Sequence, residues 1–266
     1  MKKKLTPSFE RLMTMKELGA FYGVPAITGA QLSEQITDAL GNGTPFSVIR
    51  AGDIMAKTLS HKRYQAPYEV SRKKMAYAGL PGEITPHLQR EIHEAMDTAD
   101  VVGVIHFKNH AATNLLRDVS KHYGIQFKTL TSALGMRELY FQNKLFELFT
   151  GRSIMLVGRQ AGKAAKVIEG KYQLSVVGTE NLENYAQLKG VEAKLAASTH
   201  SYDAVLVAAG VPARLLCPRI ARQRNIVALD IGHVMDEVIH PGVIGDFKVR
   251  NKVFKNWERE KYRKRK

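Results

Sequence analysis

The chain has 266 residues, 44% of them hydrophobic, and a formal net charge of +15. That length buries a substantial core, as one large domain or two small ones, and a single cysteine excludes an internal disulfide and fits a reducing compartment. No apolar run approaches the roughly 20 residues that span a bilayer. Met1-Lys2-Lys3-Lys4 leads into Pro7, Glu10 and Arg11 instead of an apolar segment, so a cytoplasmic protein without a signal peptide or transmembrane segment is expected.

In chain order, Thr28 is a candidate N-cap for a helix over 28–40, where Leu32, Ile36 and Leu40 recur at helical spacing. Gly41 to Pro45 is a turn, and 46–50 a strand. Residues 61–82 are polar and hold Pro67, Gly79, Pro81 and Gly82, the composition of an irregular excursion over the sheet edge. A helix over 84–97 precedes a strand at 101–105. A helix over 110–122 ends before Gly124, and a short strand is expected at 125–129. Helix 136–149, strand 153–158, helix 161–168, strand 174–178, helix 181–199, strand 204–209, helix 213–224 and strand 226–230 complete the body. Strands alternate with helices, and the strands are continuous apolar runs. Both are marks of an α/β fold with a mostly parallel sheet covered by helices on both faces. Residues 1–27 read as an N-terminal extension, 28–240 as the domain and 241–266 as a basic C-terminal tail.

The charge is uneven. Lys248 to Lys266 holds ten Lys or Arg and two Glu, a net +8. Such a tail can hold an anionic membrane surface or a polyanion through counterion release, or can serve solubility alone. Cys217, within Leu215-Leu216-Cys217-Pro218, reads as a buried structural thiol.

Two strands deliver ionisable residues to their carboxyl ends, the edge where open α/β sheets gather ligands. Phe46-Ser47-Val48-Ile49 runs into Arg50, Ala51, Gly52 and Asp53, and Val227-Ala228-Leu229 runs into Asp230, Ile231, Gly232 and His233. Asp230 and His233 are candidate general bases or metal ligands, and Asp53 is a candidate metal ligand or half of an ion pair with Arg50. Gly158 to Lys163 is not a P-loop. It has three residues between the glycines instead of four, and Ala164 stands where a magnesium-binding Ser or Thr is needed. It remains a strand–turn–helix unit whose Arg159 and Lys163 could take a phosphate at the helix N-terminus. Gly210, with Pro212 in the first helical turn, opens a second such unit that carries Arg214, Arg219, Arg222 and Arg224. His106, Asn109 and His110 follow the second strand and could contact a sugar or an acceptor.

The stretch 46–53 resembles the N-terminal signature of the GT-D-fold glycosyltransferases, roughly S-hydrophobic-x-R-x-G-D-G-E, and 204–212 with 228–233 resembles that family's closing strands. The resemblance spans about residues 28–240. It implies a Rossmann-like transferase that moves a sugar from a nucleotide-diphosphate donor, such as a UDP-sugar, to an acceptor. Candidates for the donor-diphosphate site are Arg50, Gly52, Asp53, Arg159, Lys163, Gly210 and Arg214, with the Arg and Lys side chains able to stabilise a departing diphosphate. In the family an Asp-x-Glu pair holds a divalent metal, Mn²⁺ or Mg²⁺. Here Asp53 matches the Asp, but Met55 stands at the Glu position, and a thioether does not replace a carboxylate for these cations. Three expectations follow: a transferase, with a metal held by Asp53 together with Asp230 or His233 or with cations in its place; a catalytically degenerate relative that binds a nucleotide or anionic polymer; and, on charge alone, a nucleic-acid binder.

Overall fold

A computed structural model describes residues 11–60 and 72–263. Seven strands form a sheet: β1 (Phe46–Ala51), β2 (Val101–Val104), β3 (Leu130–Ser132), β4 (Ser153–Gly158), β5 (Ser175–Glu180), β6 (Ala204–Ala208) and β7 (Val227–Asp230). Their order is β3-β2-β1-β7-β6-β4-β5, and every pairing is parallel. The chain builds outward from β1 to β3, crosses to β4 and β5, then returns through β6 to place β7 beside β1. Connections from β1 and β7 therefore diverge, leaving a crevice at the carboxyl ends of these two central strands.

The pleat sends alternate residues to opposite faces. Ile49, Val102, Val157, Val207 and Ala228 enter one core layer. Val48, Val101, Leu156, Leu206 and Leu229 enter the other. On the first face pack the helices Met15–Tyr22, Asp53–Leu59, Pro86–Thr98, Ala111–Tyr123, Leu188–Ala196 and Val211–Arg224. On the second pack Gly29–Asn42, Gly135–Phe141, Lys144–Glu147, Ala161–Tyr172 and Val234–Ile239. Each large side chain so buried stabilises the fold by roughly 1.5–3 kcal/mol.

Local chemistry sets the element ends. Thr28 caps its helix as expected: its hydroxyl accepts from Gln31 N, and the Gln31 side chain accepts from Thr28 N. The third strand falls later than the expected 125–129. Ile125 and Phe127 are apolar and alternate, but they are buried anchors of a loop, and pairing with β2 starts at Leu130 opposite Val102. The expected helix 136–149 is two helices, because Asn143 adopts φ 60° and breaks the ladder. The expected helix 181–199 shrinks to Leu188–Ala196. The strand before it runs on to Glu180, and Asn184 caps a 3-10 turn at Tyr185–Gln187. Of the 61–82 excursion, 61–71 lies outside the described residues, and Arg72–Tyr77 is helical.

The first and last described segments pack on the body. Leu12 bridges Phe107, Ala26 bridges Leu130, and Lys108 pairs with Glu17 at 2.5 Å. The region read as a tail contains a 17-residue helix, Phe247–Arg263. Asp246 opens it by accepting from Lys248 N at 2.6 Å, and the buried Glu237 carboxylate fixes the preceding turn by accepting from Gly242 N and Ile244 N.

Candidate active site

A cleft of about 710 Å³ opens at the carboxyl ends of β1, β7, β6 and β4. Its floor is an arginine cluster built on one aspartate. Asp230, the last residue of β7, is fully buried. Arg50, near the end of the neighbouring β1, donates from Nη2 to Asp230 Oδ1 at 3.0 Å, and Gly232 N donates to the same oxygen at 3.1 Å. Gly232 sits at φ 47°, flush against the Arg50 guanidinium, where a Cβ would overlap it. That position requires glycine on both counts. From the first turn of helix Val211–Arg224, Arg214 brings its Nε to 3.6 Å from Asp230 Oδ2. One carboxylate thus faces two guanidinium groups.

The cluster is under-satisfied. Arg50 Nε, Arg214 Nε and Nη1, Arg137 Nε and Asp230 Oδ2 are buried and have no hydrogen-bond partner among the described residues. Unpaired buried polar atoms on charged groups are costly, about 1–3 kcal/mol or more each. Burial, then repulsion from Arg50 and Arg250, pushes the Arg137 guanidinium down to about 10. Burial is also the main cause that brings Arg214 down to about 10, opposed by the attraction of Asp230. Both stay cationic at neutral pH. Among the described residues, Arg50, Lys74, Arg137, Arg159, Arg214 and Arg250 line the cleft against Asp53, Glu183 and Asp236. With Asp230 beneath, the excess is two positive charges.

The rest of the lining sits higher. Asp53 occupies the first turn of helix Asp53–Leu59, behind Gly52, and pairs with Lys57 at 3.3 Å instead of with Arg50. His233, at the start of helix Val234–Ile239, places Nδ1 2.8 Å from Asp236 Oδ2. The carboxylate accepts that proton and leaves Nε2 as an acceptor on a ring that lines the cleft. The mouth is aromatic. Tyr77 stacks near His233 (6.2 Å) and meets Phe254 and Trp257 of the last helix edge to face at 5.0 and 5.1 Å. Arg159, from the turn after β4, lies 4.2 Å over the Tyr77 ring and 5.5 Å from the Trp257 ring. Two glycines hold Tyr77 there. Val211 N donates to Ala78 O at 2.8 Å, and no Cβ fits at Gly210 (φ 65°) against that carbonyl. Gly79 (φ 76°) is wedged between Pro212, Ala209 and Glu183.

Of the residues singled out in the sequence, Arg50, Gly52, Asp53, Arg159, Gly210, Arg214 and His233 line the cleft, and Asp230 lies directly under it. Lys163 is exposed, one turn into its helix, and is not part of the lining. His106 is buried, Asn109 turns at φ 59°, and His110 caps helix Ala111–Tyr123 by accepting from Ala112 N; these three also lie outside the lining. Arg219 pairs with Glu91 and Glu192, Arg222 with Asp100, and Arg224 donates to backbone carbonyls, so Arg214 alone of the arginines on its helix reaches the cleft. Sequence reasoning missed Tyr77, Arg137, Asp236, Arg250 and Phe254. Asp236 stands three residues after His233, a spacing that puts the two on one helix face, and Arg137 follows the end of a strand as Asp53 does.

The donor set does not fit a divalent cation. Met55, at the position of the family's second carboxylate, is fully buried in the core. Asp53 faces Lys57, Asp236 holds His233 and Asp230 holds arginines. No group of three or more His, Cys, Asp or Glu could hold a metal among the described residues.

An all-parallel α/β sheet with helices on both faces and a crevice at its switch point defines the class as a Rossmann-like fold. A family model described as a GT-D fold-like domain matches residues 27–238, and the chain belongs to that family. Among solved structures, a highly conserved domain of unknown function 1792, described as having a distinct glycosyltransferase fold, aligns with a TM-score of 0.53 at 14% identity, over 83% of this chain and 82% of that one. At that identity the likeness is one of fold. No curated protein matches the chain.

Proposed function

We propose that the protein transfers a sugar from a nucleotide-diphosphate donor, of the UDP-sugar type, to an acceptor hydroxyl without a metal ion. The observation that carries this reading is the cationic lining of the cleft, where Arg50, Arg137, Arg159 and Arg214 gather at the carboxyl ends of the central strands. A diphosphate offers acceptor oxygens to guanidinium groups that line the cleft, and its two negative charges match the excess of the lining. In transfer, the acceptor oxygen attacks the anomeric carbon. The bond from that carbon to the diphosphate oxygen breaks, and its electron pair leaves on the phosphate. Preorganised cations stabilise the charge that develops there, for roughly 3–4 kcal/mol per well-placed donor. His233, held by Asp236, takes the acceptor proton. Asp230, sealed under the arginines, positions them and is not placed to meet a substrate.

A second reading has its own support. The burial of Met55 removes the family's second carboxylate, as expected of a relative that binds the nucleotide without turning it over. Titration calorimetry and a hydrolysis assay against a panel of sugar nucleotides, both in chelator, separate the two. Binding with turnover is the expected result. Binding alone favours the degenerate module, and no binding of any nucleoside diphosphate overturns both.

A further inference from the structure

The last helix carries a second, outward-facing chemistry. Its inner side, with Phe254 and Trp257 on Tyr77, closes against the body beside the cleft. Its outer side is cationic: Lys248, Lys252, Lys255 and Arg259 are exposed and share one face at helical spacing, beside the exposed Asn256, while Arg250 lies on the cleft side. At 1.5 Å per residue the stripe from Lys248 to Arg259 runs for about 17 Å. Further positive charge follows in the sequence at Lys264, Arg265 and Lys266.

We propose that this stripe is a docking surface for an anionic phospholipid bilayer, which would set the cleft mouth at the membrane surface. Charge complementarity selects an anionic partner, and the placement of the aromatic residues selects among anionic partners. Single-stranded nucleic acid is held by bases stacked on aromatic side chains, but Phe254 and Trp257 are turned inward. Sequence-specific reading of a duplex requires an element that enters a groove, and this helix lies against the body. The exposed cations outside the cleft lining are Lys248, Lys252, Lys255 and Arg259, mostly lysines on long flexible stems. These act as hydrated point charges suited to a diffuse headgroup layer more than to forked recognition of one phosphate. With the apolar side already packed, the contact is electrostatic and superficial, without insertion.

The test is co-sedimentation of the full chain with vesicles, a readout separate from turnover and therefore independent of the transfer reaction proposed above. Binding to vesicles containing phosphatidylglycerol is expected at low salt, with none to pure phosphatidylcholine, and it should weaken steeply as salt rises. The combined Lys248→Glu, Lys252→Glu and Lys255→Glu variant should lose about tenfold or more in affinity. These residues are exposed, and the corresponding Lys→Gln triple variant carries the same comparison if charge reversal disturbs folding. Equal binding to both vesicle types, equal binding by the variants, or tighter binding to an oligonucleotide than to anionic vesicles at matched charge would overturn the proposal.

Discussion

At the scale of single residues, the site turns on the difference between a carboxylate that reacts and one that holds. Asp230 ends a buried strand, is fully buried, and contacts Arg50 and Gly232 N. Removing its charge leaves guanidinium groups facing each other without a counter-ion. Asp230→Asn should therefore destabilise the fold by about 3 kcal/mol, read by urea denaturation. His233 is the opposite case, a ring at the cleft wall whose Nδ1 is committed to Asp236. His233→Ala should lower kcat by roughly 10²–10⁴-fold while the calorimetric affinity for a nucleoside diphosphate stays within a few-fold. A comparable loss of affinity would assign the ring to donor binding instead. The sequence marked Asp230 and His233 alike, since both follow an apolar run. Burial separates their roles, and burial depends on the arginine that β1 sends across to β7.

At the scale of elements, most strands and helices were legible because their apolar runs are long and their breaks carry Gly, Pro or a capping side chain. The misplacements have local causes. Ile125 and Phe127 alternate like a strand yet anchor a loop, and Asn143 supplies a left-handed break that composition alone does not announce. The cleft lining was less legible, because Arg137, Tyr77 and Asp236 come from three separate elements that only the strand order brings together. The N-terminal helix Met15–Tyr22 shows how an element outside the main pattern is fixed. Glu17 takes part in a capping box with Thr14 and pairs with Lys108, and these contacts, Lys108 first, hold its carboxyl down at about 2 from an ordinary 4.5. A depressed carboxyl contributes stability above its unfolded value and loses it as pH falls through the folded one. Glu17→Gln should accordingly lower Tm at pH 7. The gap to the wild type should close between about pH 4.5 and 2 in a thermal melt series, and a gap independent of pH would show that the ionised form is not what docks the helix.

At the scale of the whole molecule, the all-parallel sheet with two helical layers was readable from the alternation of elements, and the switch between β1 and β7 places the functional crevice between the two motifs that stood out in the sequence. The electrostatic character of that crevice was not readable. Net charge said cationic, but only the fold shows six of the forty Lys and Arg side chains gathered on one cleft and the candidate metal carboxylates drawn into pairs with cations or a histidine. Donor binding and turnover should therefore be unchanged, within about twofold, by excess chelator and by added manganese. A loss on chelation restored by manganese would mean that Asp53 gives up Lys57 to a metal.

The roof over the cleft has a practical consequence. The chain contains one tryptophan, Trp257, and it lies 5.1 Å from Tyr77 and 5.5 Å from the Arg159 guanidinium at the edge of the crevice. All indole emission from the protein thus originates beside the ligand's doorway, and a charged neighbour that shifts when a phosphate arrives would alter it. The molecule carries a label-free optical gauge of its own occupancy, usable in the same cuvette with nucleotide or with vesicles.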